Sequence, residues 1–226
     1  MDRAASPFPA GWYTGGPDVL WGRPHTYAFI PHELLPDLDR TSFDGDFEWL
    51  PPIPTKSSPL QYAKNVEGWG VSAIPGLVSE ARLVGLELPP AFLRFISDAD
   101  LYGRVPSPTA CYLDFSHGLL DDPSCSGGRM LRFMNDSQAS VLWYLYLRPQ
   151  GDHCVVASAE WFDGLQNQSS SDLDPDLYFW CAEHFEQFVY RFWIENQIWH
   201  RVHAGLALTP EERRYLEAAR RAATLG

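Results

Sequence analysis

The chain has 226 residues, 45% hydrophobic and 14% aromatic, a globular composition that argues against general disorder. Its net charge of −12 repels nucleic acid and anionic lipid and favours a basic protein as partner. No apolar run approaches the roughly 20 residues of a spanning helix, and Met1-Asp2-Arg3-Ala4-Ala5 lacks the apolar stretch of a secretory signal, so a cytoplasmic location is expected.

The first sixty residues carry Pro7, Pro9, Pro17, Pro24, Pro31, Pro36, Pro51, Pro52, Pro54 and Pro59, a density that forbids long helices. Trp12, Tyr13, Trp21, Tyr27, Phe29, Phe43, Phe47 and Trp49 lie between them, too many rings for a disordered linker. Residues 1–65 therefore read as an arm that packs aromatics onto a larger body, with a short strand at Thr26–Ile30. Residues 66–226 read as that body.

In the body, Ile74, Leu77, Val78, Ala81 and Val84 recur at helical spacing before a stop at Gly85. Leu88-Pro89-Pro90 opens a second short helix with Phe92, Phe95 and Ile96 on one face, ended by Asp98-Ala99-Asp100 and Gly103. Ala110–Phe115, Met130–Met134, Val141–Leu147 and Cys154–Ala157 read as strands separated by turn compositions, giving an antiparallel meander. The run Val141–Leu147 is apolar on both faces, which predicts a central strand covered by helices. A polar loop, Gln166–Asp176, leads through Leu177, Phe179 and Trp180 into an aromatic helix with Phe185, Phe188, Val189, Phe192 and Trp199 in one stripe. In that helix, Glu195-Asn196 read as part of a solvated face. A last helix opens at Thr209-Pro210-Glu211-Glu212, where Thr209 and Glu212 have the spacing of a capping box. The fold class is α+β, a mainly antiparallel sheet covered by helices.

Catalytic patterns are absent from the sequence. His200 and His203 form H-x-x-H, whereas a zinc protease needs H-E-x-x-H. Cys181 and His184 are three apart without a second close pair. Ser116-His117 near Asp114, and Cys154 beside His153, are adjacent pairs whose side chains point apart in extended chain. Gly15-Gly16 and Gly127-Gly128 do not match a phosphate loop. Cys111, Cys125, Cys154 and Cys181 contain no C-x-x-C and predict buried free thiols. Neither a catalytic residue, a metal nor a cofactor is expected.

The segment Leu86-Glu87-Leu88-Pro89-Pro90-Ala91-Phe92-Leu93-Arg94-Phe95-Ile96 resembles the early helix start of the SUKH superfamily. This family groups bacterial immunity proteins with fungal regulators of cell-wall synthesis. Phe133-Met134-Asn135-Asp136-Ser137-Gln138 followed by Trp143-Tyr144-Leu145-Tyr146-Leu147 resembles its central hairpin. Ser158-Ala159-Glu160 and Phe185-Glu186-Gln187-Phe188 resemble its closing strand and helix. The likeness covers about residues 66–200 and departs from the family at Asp98-Ala99-Asp100, where many members carry Asn-Gly. It implies a non-enzymatic module that binds a protein, often a toxin with nuclease activity. The polar loops offer Asp98, Asp100, Asp121, Asp122, Asp172, Asp174 and Asp176 as contacts for the cationic cleft of a basic toxin domain. A small hydrolase with catalytic residues scattered in sequence, and a constitutive regulatory scaffold, are the competing readings.

Overall fold

A computed structural model describes residues 6–38, 43–63, 70–160 and 175–224. It is an α+β fold built on a six-stranded antiparallel sheet: β3 (Tyr112–Leu113), β4 (Leu120–Asp121), β5 (Arg129–Asn135), β6 (Leu142–Leu147), β7 (His153–Ser158) and β8 (Tyr178–Ala182). β5, β6, β7 and β8 follow one another across the sheet, and β3 and β4 share the outer edge of β5. A bulge between Arg132 and Met134 turns both Phe133 and Met134 inward.

The helices lie against one face. α2 (Ile74–Leu83) ends where Gly85 takes a positive φ, and α3 (Pro90–Ser97) buries Phe92, Phe95 and Ile96. Asp98 does not simply end that helix: its carboxylate accepts the Asp100 amide at 2.9 Å and caps a further turn, α4 (Ala99–Tyr102). α5 (Phe185–His203) packs Phe185 against Phe92, Phe95 and Phe133, and Phe188 against Phe133 and Trp143. α6 (Pro210–Ala223) begins with the full reciprocal capping box of Thr209 and Glu212.

Three expectations are corrected. Tyr178–Ala182 is a strand rather than a lead into the helix, because it pairs with β7 along Val155–Ser158. β6 is central, but among the described residues helices cover only its Trp143, Leu145 and Leu147 side. Leu142, Tyr144 and Tyr146 form a second buried cluster with Met130, Cys154, Val156 and Tyr178, against which Phe8 packs. Glu195 and Asn196 are buried at 2% and 1% exposure, since β1 (Gly11–Gly15) and α6 lie over that side of α5.

The arm contributes to the same core. β1 pairs with β2 (Tyr27–Pro31), and a five-residue helix, α1 (Pro17–Trp21), joins them. Trp12, Leu20, Trp21, Ile30, Phe47, Leu50 and Leu60 belong to one cluster with the sheet and helices of the body. The arm also closes the sheet's edges. Trp180 donates its amide to Pro9 at 2.8 Å on β8, while on β3 Leu113 donates its amide to Gln61 at 2.8 Å and accepts that of Ala63 at 3.0 Å.

Candidate functional site

The acidic residues singled out from the sequence occupy separate places. Asp98 and Asp100 are exposed together on the turn that opens α4. Asp121 is exposed on β4, with Arg129 at 3.3 Å. Asp176 is exposed in the turn that precedes β8. Sheet register puts Asp121 level with His153 at one end of β7, whereas β8 begins level with Ser158 at the other. Asp121 and Asp176 therefore stand about 17 Å apart along the strands. Asp172 and Asp174, with most of the Gln166–Asp176 loop, lie outside the described residues.

Asp122 is not a solvated carboxylate. It is 3% exposed and accepts the amides and hydroxyls of Ser124 and Ser126 at 2.6–3.0 Å, and the Tyr146 hydroxyl at 2.9 Å. Burial pushes its pKa up, but these donors outweigh burial and hold it below the usual carboxylate value. Its charge organises the 122–128 loop and is shielded from any partner.

A second buried acid is Glu195, expected from sequence on a solvated face. Glu195 accepts the Trp12 indole N–H at 2.8 Å and the Tyr215 hydroxyl at 2.6 Å. The guanidinium of Arg191 donates to the same hydroxyl at 2.8 Å and to the Pro36 carbonyl at 3.0 Å. Burial raises the Glu195 pKa, and the bonds from Tyr215 and Trp12, with the charge of Arg191, pull the other way without cancelling it. The network joins arm, α5 and α6, so its work is structural. Glu186 acts likewise. It approaches Asp44 and Asp46 closely enough to resemble a cation site, yet its two oxygens are taken by the Gly45 amide and the Trp49 indole, which fasten the 43–50 loop to α5.

Among the described residues, the catalytic candidates do not assemble. Ser116 donates to the Gly118 carbonyl, and Asp114 pairs with the buried Arg132 at 2.7 Å. His203 stacks on Trp199 and faces Asp18, while His200 makes no metal cluster with it among the described residues. All four cysteines are free, three of them buried as expected. Cys125 is exposed because it sits at the outer bend of the Asp122 loop. Burial raises the thiol pKa of Cys111 to about 11 and of Cys154 to about 12, and raises that of Cys181 further. A thiol so shifted carries little thiolate at neutral pH, the opposite of what a nucleophile needs. An open groove of about 590 Å³ beside β3 is lined by Tyr62, Ser107, Cys111, Tyr112 and Asp114. Its cysteine is the inert Cys111, and its carboxylate is the one neutralised by Arg132.

No protein-family model matches the chain, and neither a curated protein nor a solved structure matches it at a significant level.

Proposed function

We propose that the chain is a non-enzymatic protein-binding module, related to the SUKH immunity proteins, that neutralises a basic toxin domain by direct contact. The observation that carries this reading is the pairing of a net charge of −12 with exposed carboxylates on ordered turns, Asp98 and Asp100 foremost. Such groups steer a cationic partner into contact, and aromatic or aliphatic anchors then supply affinity. The raised thiol pKa values and the engagement of Asp114 with Arg132 favour binding over hydrolysis.

The test is purification of the tagged chain from its own host at low and moderate salt, with D98K/D100K and D121K variants alongside. A stoichiometric basic partner that is released by salt and weakened by the reversed charges supports the proposal. A partner indifferent to both argues for the constitutive scaffold. Turnover of an ester or phosphodiester panel by the purified protein would favour the hydrolase.

A further inference from the structure

We propose that His153 is an acid-sensitive latch that holds the first turn of α5 to the β6–β7 hairpin and releases it when its ring is protonated. α5 carries much of the core, yet its N-cap residue, His184, makes no capping bond with its own side chain. The imidazole of His153, thirty-two residues away at the start of β7, supplies an acceptor instead. Its Nε2 takes the amide of Phe185, the first residue of the helix, at 3.2 Å. The ring does this only when neutral, with its proton on Nδ1. A second proton removes the acceptor, turns the contact into donor against donor, and places a positive charge at the positive end of the helix dipole. All three consequences push the same way.

The surroundings strengthen the effect. The His184 ring, on the helix side, is 6.1 Å away, so a charge there repels one on His153. Arg148 and Asp152, from the hairpin, pair with each other at 2.8 Å, so the carboxylate that would steady an imidazolium is already engaged by a cation. Glu183, on the link from β8, is exposed, and its amide is held by Gln187. Burial first, then His184, lowers the His153 pKa to about 4; Asp152 opposes this and Arg148 adds to it. The folded-state value is depressed, so the latch is secure above the ordinary histidine pKa near 6.5. It weakens as pH falls from there toward 4.

The experiment is residue-resolved amide exchange on the full chain between pH 7 and pH 5, corrected for the intrinsic pH dependence of exchange. With pKa values of about 4 closed and 6.5 open, opening at Phe185 and the amides that follow rises about twentyfold over that interval. His153→Gln keeps an acceptor but no titration, and removes the rise. His184→Gln leaves His153 in place and makes the rise smaller. A wild-type protein whose Phe185 amide ignores pH overturns the proposal, as does a rise that persists in His153→Gln or that spreads equally over β5, β6 and β7.

Discussion

Replacing Tyr215 with Phe removes a single oxygen from the Glu195–Arg191 network. That oxygen donates to Glu195 at 2.6 Å and accepts from Arg191 at 2.8 Å, and both partners are buried, Glu195 at 2% and Arg191 at 7% exposure. A hydrogen bond to a charged group contributes about 1.5–3 kcal/mol. Each partner keeps one other bond, to Trp12 and Pro36 respectively, so the two losses should not add in full. We expect Tyr215→Phe to lower unfolding free energy by about 2–4 kcal/mol at pH 7. The loss should shrink toward pH 4.5. The pKa of Glu195 is raised in the folded state, so its favourable contribution is complete below the unfolded value of 4.5 and declines as pH rises through the folded one. Tyr215 is the largest of the groups pulling that pKa back down, so its deletion hurts most where the acid should be ionised. Urea denaturation followed by tryptophan fluorescence at both pH values makes the measurement. A loss below about 0.5 kcal/mol at pH 7, or one larger at pH 4.5, would refute the reasoning.

Two further substitutions check other junctions. Gly16 has φ of 66° and a Cβ built there would lie 2.1 Å from Trp199, so Gly16→Ala should cost about 2–4 kcal/mol and lower the melting temperature; an unchanged melting temperature would mean that the start of α1 does not meet α5 as described. Asp122→Ala removes the carboxylate that Ser124, Ser126 and Tyr146 share, leaving only the bonds among their hydroxyls, and should expose the 122–128 loop to limited proteolysis. Because the Asp122 pKa is depressed, the wild-type loop should itself loosen as pH falls below about 4, while the variant shows no such step.

The parts of the fold that were legible in sequence are those whose signals are local. Phe92, Phe95 and Ile96 repeat at helical spacing behind a proline, and Thr209 and Glu212 satisfy each other within one turn; α3 and α6 follow from those residues alone. β8 was hidden because Tyr-Phe-Trp-Cys-Ala is an apolar run that suits a strand or a helix equally, and only pairing with β7 decides. β1, Gly-Trp-Tyr-Thr-Gly, is too short to stand out from the arm until Tyr27–Pro31 lies beside it. The site was less legible for the same reason. Nothing beside Glu195 in sequence announces Trp12 and Tyr215, and an Asp followed by Pro and Ser reads as solvated until the serine hydroxyls fold back onto it.

The two edge contacts of the arm bear on how the chain comes to be folded. Pro9 and the 61–63 segment are made first during synthesis, but the strands they cover, β8 and β3, are completed only after residues 182 and 113 have appeared. Trp12, Leu20 and Phe47 must therefore wait in water for a core that arrives later. The protein is at its most vulnerable on the ribosome, with unclaimed aromatic side chains in front and an uncapped sheet still growing behind. A domain fused ahead of residue 6 would hinder the last docking step more than one fused after residue 224.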